Sequence, residues 1–328
     1  MSVSRILSIS RRVSPRLSSA GGGGGGGGLN NVGLVSRHTT TVSSMPQAPL
    51  NLPGSAFWAV SEIALSKASA SSKDVFTNCI FGGVMLGLGG VCTFVIVAGG
   101  SPKLAKESPG LHKLLGGLVF PWGMTLIATT GAGLATGNFF NVAMPLITHP
   151  GHAAASLRNA MRVVVASLAG NVVGAVGTAF FIEGAGIVQA DSPAGQWAAR
   201  LSETKCSLSF GAAFAKAVAC NFMVNTAIVF GAGQTTPGAK IAAVYIPIAV
   251  FVILGLEHSI ANMTLLPLGM LLGANITPLD IMGNLVPVTL GNAVGAVLLL
   301  IVQSKALPPA RAAPLTLATA WAGRVTAL

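Results

Sequence analysis

A long apolar run at positions 240–272 is interrupted in its middle by Gly255-Leu256-Glu257-His258-Ser259-Ile260-Ala261-Asn262. Two ionisable side chains therefore stand where an unbroken membrane helix would cross the centre of a bilayer. Non-helical backbone survives at that depth only where protein or a water-filled cavity supplies hydrogen bonds. The interruption predicts a broken helix that lines a path through the membrane.

A second apolar run, at 114–148, has a similar interruption at Gly131-Ala132-Gly133-Leu134-Ala135-Thr136-Gly137-Asn138. Six apolar runs are each longer than the roughly 20 residues that a bilayer requires. They lie near 74–100, 114–148, 159–183, 206–232, 240–272 and 281–303. The interrupted runs are the second and the fifth, as expected for an inverted repeat of three plus three helices.

Two further similarities support such a repeat. Residues 170–176, which read Gly-Asn-Val-Val-Gly-Ala-Val, resemble Gly-Asn-Ala-Val-Gly-Ala-Val at 291–297. Phe120 before the first interruption and Phe251 before the second have a similar sequence separation. Chance similarity between helices rich in small residues is the alternative, but the agreement of the separations favours duplication. We predict an all-α membrane protein with six transmembrane helices in an inverted 3+3 repeat, whose second and fifth helices are broken.

The composition agrees with a membrane protein. Of 328 residues, 52% are apolar and 8% are charged, whereas a soluble domain carries roughly a quarter charged residues. The chain has 42 Gly and 18 Pro but one Tyr and four Trp, which favours closely packed helices over a barrel with aromatic girdles. Only eight Asp and Glu residues are present, too few for a typical hydrolase core.

Residues 1–50 have the composition of an organellar transit peptide followed by a flexible Gly-rich segment. They are rich in Ser and Arg, contain the glycine run 21–28, and precede the first acid, Glu62. This clustering explains much of the net charge of +11 as targeting, and no aromatic residues interleave with the basic ones for nucleic-acid stacking. Import into a plastid or a mitochondrion is expected, and composition leaves both open.

The remaining chain divides into three parts. Residues 51–72 are expected to form a short amphipathic helix at the membrane surface, residues 73–305 a six-helix transport domain, and residues 306–328 a C-terminal tail. Basic residues near the ends of the apolar runs are more numerous on the side of the termini. This bias places both termini in the cytoplasm-like compartment.

Three ionisable residues fall inside the predicted spans, and buried charges of this kind are functional candidates: Lys216, Glu257 and His258. His258 can gain or lose a proton near neutral pH, so we predict that it lines the pore; a hydrogen-bonded structural histidine is the alternative. Glu257 is expected to satisfy donors of the broken segment. Lys216 either attracts anions in the pore or extends to the interface.

Three asparagines add amide groups to these segments: Asn138, Asn221 and Asn262. Each can donate to an anion or bind freed backbone groups. Neither a metal nor a cofactor is predicted. His149 and His152 flank a loop without further ligands, the four cysteines show no paired spacing, and the sequence has no phosphate loop, nucleophile elbow or dinucleotide fingerprint.

These segments resemble the formate/nitrite transporter family. The resemblance extends from about Ser55 to Gln303 and rests on residues 255–263, on Pro267-Leu268-Gly269, and on Asn284-Leu285-Val286-Pro287-Val288-Thr289-Leu290-Gly291-Asn292. It implies homopentamers of six-helix, aquaporin-like protomers, each with its own pore and a central histidine. It also implies transport of small monovalent anions such as formate, nitrite, lactate or hydrosulfide.

The resemblance assigns roles to individual residues. It makes His258 the central pore histidine, places Thr136 and Leu134 in the first interruption, and makes three apolar residues constrictions: Phe120, Met124 and Phe251. One departure concerns the first interruption, which reads Gly133-Leu134-Ala135-Thr136 where the family usually has an acid followed by Leu-Phe-Thr. The missing acid and aromatic residue leave the width and selectivity of that constriction open.

A mechanism and a substrate follow from these assignments. Basic groups attract a small anion, which takes a proton or shares one with His258 and crosses the apolar rings as a neutral acid; chloride cannot do so. An algal chloroplast-type nitrite transporter in the inner envelope is expected. The alternatives are formate, another monocarboxylate or hydrosulfide, in either organelle's inner membrane. A water or glycerol channel lacks its paired Asn-Pro-Ala boxes here, and an intramembrane enzyme would have only Glu257 beside His258.

Overall fold

The computed structural model describes residues 55–100, 103–148 and 153–306, and every element within them is helical. The predicted transit peptide, the residues after 306, His149 and His152 lie outside the described residues. The helices are α1 (Ser55–Ser69), α2 (Ser72–Thr93), which continues as a π-helical turn (Phe94–Ala98), α3 (Leu104–Glu107), α4 (Pro109–Val119), α5 (Pro121–Thr130), α6 (Ala135–Thr148), α7 (Ala153–Gly184), α8 (Pro193–Cys206), α9 (Phe210–Ala232), α10 (Pro237–Ile253), α11 (Ser259–Leu271) and α12 (Pro278–Ala306).

Five segments of this part of the chain are long and apolar enough to cross a membrane: Ser72–Ala98, Pro109–Thr130, Leu157–Gly184, Phe210–Ala232 and Pro278–Lys305. The sequence predicts six. The run at 240–272 is divided between α10 and α11, which have 17 and 13 residues. Each is shorter than the roughly 20 residues of a full span.

Local sequence explains where these helices begin. Serine or threonine caps the N-terminus of α2, α8, α9 and α10, and each side-chain oxygen accepts a backbone N–H of the first turn. Proline is the first residue of α4, α5, α8, α10 and α12, a position where its missing N–H costs nothing.

Glycines end α5 and lie just after α10. Gly131 has φ of +76°, and Gly255 has φ of +64°. Only glycine adopts this left-handed backbone without a steric penalty. The chain therefore leaves the helical path directly before residues 132–134 and 256–258, which are the segments that the sequence singles out.

Small residues allow two pairs of helices to pack closely. A Cβ at Gly174 of α7 would collide with the carbonyl oxygen of Ile80 on α2, and a Cβ at Gly295 of α12 would collide with that of Val218 on α9. Packing through glycine agrees with the prediction from composition.

Helix α1 packs on the bundle. Val60 and Ala64 are buried in a cluster with residues of α6, α9 and α12. Arg162 of α7 donates hydrogen bonds to the carbonyl oxygens of Ala68 and Ala70 at 2.8 and 2.7 Å. These contacts fix the end of α1 on the bundle, while its placement at a membrane surface stays a prediction.

Candidate functional site

A cavity of about 430 Å³ leads into the bundle. Its lining includes the exposed residues Ala105 and Pro109 at one end and the buried residues His258 and Asn262 at the other. It therefore connects the surface near α3 and α4 with the segment between α10 and α11.

Most of the cavity wall is apolar, and its charged groups are mainly cationic. Aromatic side chains of Phe94, Phe120, Trp197 and Phe251 line it. Three lysines contribute positive charge to the same lining: Lys113, Lys205 and Lys216. A low-dielectric cleft with charges of one sign raises the local concentration of the opposite ion, so this cavity favours anions.

His258 caps the first turn of α11. Its Nδ1 accepts the backbone N–H of Ala261 at 3.2 Å, and its Nε2 lies 3.1 Å from Oγ1 of Thr136. Because Nδ1 acts as an acceptor, the proton of the neutral imidazole is on Nε2. The neutral ring therefore donates its N–H to the hydroxyl of Thr136.

The contact between His258 and Thr136 joins the two interrupted segments. Thr136 lies in the first turn of α6 and is fully buried. Phe251 stacks on the imidazole with ring centroids 6.0 Å apart, and Phe120 meets Phe251 edge-on at 5.6 Å. The proton-bearing ring therefore has an aromatic pair on one side and a hydroxyl on the other.

Two asparagines hold the ends of the interrupted segments. Asn171 accepts the N–H of Ala135, the first residue of α6, and donates to the carbonyl oxygens of Gly133 and Cys79. Asn292 of α12 forms the corresponding set at α11. Its partners are the N–H of Ser259 and the carbonyl oxygens of Glu257 and Ala217. Both amides satisfy backbone groups that the interruptions leave without helical partners.

Glu257 belongs to a buried polar network. Its Oε1 lies 2.8 Å from Nζ of Lys205, and its Oε2 accepts from Nδ2 of Asn262 at 2.7 Å. Asn262 also donates to Asn284 at 2.8 Å, and Asn284 donates to the carbonyl oxygen of Lys205. The carboxylate is thus neutralised and holds the segment before His258 in place.

Comparison with known proteins identifies the family. Residues 54–304 match the family model described as Formate/nitrite transporter. The chain belongs to the formate/nitrite transporter family.

Relatives and solved structures agree with this assignment. A probable formate transporter of Methanothermobacter thermautotrophicus is 36% identical over 252 residues, which cover 72% of this chain and 89% of that protein. A formate channel of Bacillus thuringiensis is 28% identical and covers 72% and 87%. A solved channel of the same family has a TM-score of 0.67 at 24% identity, covering 77% of this chain and 99% of the other. A pentameric formate channel solved with formate bound has a TM-score of 0.59 at 25% identity, covering 72% and 96%.

The fold and family together make this transporter a multi-pass membrane protein. Of its predicted pore residues, four lie around the cavity end or line the cavity: Thr136, Lys216, His258 and Asn262. Asn262 uses Nδ2 for the Glu257 network, whereas its buried Oδ1 has no hydrogen-bond partner among the described residues.

Asn221 and Asn138 lie behind Thr136 and are not among the cavity-lining residues. Asn221 donates to the carbonyl oxygens of Thr136 and Asn292, and Asn138 donates to Oγ of Ser167 at 2.6 Å. Both sets of contacts support helices. For Asn221, direct contact with the substrate stays a prediction.

The predicted constriction residues divide into two pairs. Phe120 and Phe251 line the cavity beside His258. Met124 and Leu134 are buried in the main core and are not part of that lining. Their role in a constriction on the other side of the imidazole stays a prediction.

The structure gives a physical reason for the unusual residues in the first interruption. A Cβ at Gly133 would lie 2.8 Å from Sγ of Cys79, and Ala135 is fully buried with its N–H bound to Asn171. Nζ of Lys67 lies 3.6 Å from the same Cβ position, and burial lowers the pKa of Lys67. A larger residue at 133 would have to displace Cys79.

The sequence did not single out Lys205, Asn171 or Asn292 as functional residues. Lys205 stands at the end of α8, where a basic residue looks like a loop charge near a membrane surface. The two asparagines occur in the repeated strings, which were the signal that could have identified them. Among the described residues, no group of three or more His, Cys, Asp or Glu is arranged to hold a metal ion.

Proposed function

We propose that this protein conducts small monovalent weak-acid anions across a membrane together with protons, along the cavity and past His258. The observation that carries the proposal is the buried imidazole, whose Nε2–H lies at the inner end of a cationic, apolar cavity. It can donate a hydrogen bond to an anion at the place where water is replaced by aromatic rings.

Capture begins with the lysines. Among the described residues, Lys205 is paired with Glu257, and neither Lys113 nor Lys216 has a carboxylate within salt-bridge distance. These two ammonium groups leave the lining with a net positive charge. They raise the anion concentration in the cavity without holding the anion in a tight ion pair.

Transfer follows at His258. An anion oxygen replaces Thr136 as the acceptor of the Nε2–H, so the anion rests against Phe251 and Phe120. An apolar environment disfavours the charged form and raises the affinity of a weak-acid anion for a proton. The anion therefore takes a proton from cavity water at this point, sharing the hydrogen bond of His258.

The neutral acid then passes the apolar residues, where a bare charge would be strongly disfavoured. Chloride has no comparable route because its conjugate acid is fully ionised in water. His258 stays neutral throughout, because a second proton on Nδ1 would face the N–H of Ala261 that it caps. Losing such a cap costs about 0.5–2 kcal/mol.

The architecture that we propose has six membrane helices in two inverted halves, with the second and fifth broken. In this scheme α4 to α6 form the second helix and α10 with α11 the fifth. The matching hydrogen bonds of Asn171 and Asn292 support it. The similarity to a solved pentameric formate channel supports a homopentamer with one pore in each protomer.

For the substrate and the location, we propose nitrite and the inner envelope membrane of the chloroplast. The Arg- and Ser-rich composition of residues 1–50 supports an organellar address. Formate is the second candidate, because relatives that resemble this chain are described as a probable formate transporter and a formate channel. Other monocarboxylates, hydrosulfide and the mitochondrial inner membrane remain alternatives of the same proposal.

Uptake by proteoliposomes tests the function. We expect nitrite and formate to enter faster at acid than at neutral pH, while chloride flux stays near that of protein-free liposomes. The ratio of nitrite to formate uptake at equal concentrations then ranks the two substrates. Chloride flux equal to formate flux at both pH values would overturn the neutral-acid route.

A further inference from the structure

His112 is a second imidazole of the cavity that the transport path described above does not use. It lies in the N-terminal part of α4, and its ring contacts Trp197 of α8 edge-on, with centroids 5.1 Å apart. Both residues line the cavity. Trp197 in turn contacts Phe94 edge-on at 5.3 Å, so the imidazole is part of a packed aromatic wall near the mouth.

One nitrogen of this imidazole is buried without a partner. Nδ1 of His112 has no hydrogen bond within the described residues, although the side chain as a whole is half-buried. A buried polar atom without a partner is uncommon. A ring nitrogen that carries a proton requires an acceptor, and an anion is rich in acceptor sites.

The charges around His112 oppose its protonation when the cavity is empty. Lys113, Lys205 and Lys216 share its cavity, whereas Glu257 is occupied by Lys205 and His258 caps α11. The neighbouring helices add few other titratable groups. Lys106 and Glu107 lie at exposed positions on α3, Arg200 is exposed and Glu203 half-buried on α8, and Tyr245 of α10 donates to the carbonyl oxygen of Leu118.

We propose that His112 is a docking group for a monovalent anion at the cavity mouth and takes up a proton as the anion binds. The proposal rests on the anion transport proposed above. An anion beside the imidazole offsets the repulsion from the lysines and accepts the hydrogen bond that the protein does not satisfy. Binding and protonation are then linked, so each must favour the other by the same factor.

This linkage acts on capture, whereas His258 acts on transfer. Acidification should lower the anion concentration at which uptake is half-saturated, through His112. It should raise the maximal rate through His258. The two effects can therefore be measured separately in one set of uptake curves.

Trp197 supplies a readout that does not depend on transport. A protonated imidazole in contact with an indole quenches its fluorescence, so emission from the full-length protein in detergent should fall in a step as the pH is lowered. Sodium formate should raise the pH midpoint of that step by about one unit, which corresponds to a tenfold linked change in anion affinity. His112→Gln and Trp197→Phe should each remove the step, and His258→Asn should retain it.

The outcomes separate this inference from the proposed function. Absence of the step in the unaltered protein, or a midpoint that formate does not move, overturns the role of His112. Wild-type dependence of half-saturation on pH in His112→Gln also overturns it, while normal uptake leaves the transport function intact. A formate-dependent midpoint in a protein that moves no anion would support the docking group and reject the transport proposal.

Discussion

Asn171 and Asn292 bind the two interrupted segments through equivalent sets of three hydrogen bonds. Each side-chain oxygen accepts the N–H of the first residue of a helix, at 2.7 Å for Asn171 and 2.9 Å for Asn292. Each amide nitrogen donates to a carbonyl oxygen of the interrupted segment and to one on an adjacent helix. The two asparagines thus act as equivalent supports on either side of the His258–Thr136 contact.

Replacing either asparagine with alanine should destabilise the protein. The change leaves one buried N–H and two buried carbonyl groups without partners, at about 1–3 kcal/mol for each unsatisfied group. We expect a lower midpoint of thermal unfolding in detergent for both Asn171→Ala and Asn292→Ala. Asn159→Ala, at a half-buried position of the same helix as Asn171, is the control. Similar unfolding midpoints for all three variants would contradict the supporting role.

Replacing His258 with phenylalanine should remove the rise of uptake at acid pH. The ring shape is kept, but the donor that holds the anion while it takes up a proton is lost. His258→Asn retains a capping side chain for α11 and so controls for folding. Uptake of formate measured across a pH series reports the result. A wild-type profile in His258→Phe would refute the proton-coupling role.

Breaking the ion pair between Lys205 and Glu257 should be costly. A buried charge left without its partner typically destabilises a protein by about 3–5 kcal/mol. Lys205→Gln leaves the Glu257 carboxylate uncompensated beside His258, so we expect both a lower unfolding midpoint and weaker uptake. The double variant Lys205→Gln with Glu257→Gln restores charge balance and should recover much of the stability. Equal unfolding midpoints for the single and double variants would argue against coupling of the pair.

Adding a methyl group at Gly133 should be tolerated only if Cys79 is reduced in size. The new Cβ would lie 2.8 Å from the cysteine sulfur, and such overpacking costs typically 1–3 kcal/mol. Gly133→Ala should therefore lower the unfolding midpoint, and Cys79→Ala should rescue it in the double variant. Additive effects of the two substitutions would show that this contact does not limit residue size at 133.

The sequence predicted the positions of the two interruptions because their causes are local. Glycines that allow positive φ, followed by polar side chains within an apolar run, exclude a continuous membrane helix. The same sequence identified His258, Thr136, Phe120 and Phe251, although their roles came from the resemblance to the family.

Contacts between distant residues required the tertiary structure. Only the fold places Thr136 against Nε2 of His258, brings Lys205 to Glu257, and seats Asn171 and Asn292 on the free backbone groups. It also explains why a glycine occupies the position of the family's acid, since Cys79 takes the space that a side chain would need.

The amino-acid sequence by itself determined that this is a membrane protein with helical runs interrupted at two defined places, since hydropathy and glycine geometry act over a few neighbouring residues. The tertiary structure alone decided the tautomer of His258, the neutralisation of Glu257 and the shape and charge of the cavity. Those properties depend on distances between atoms far apart along the chain, and only the packing of the helices sets such distances.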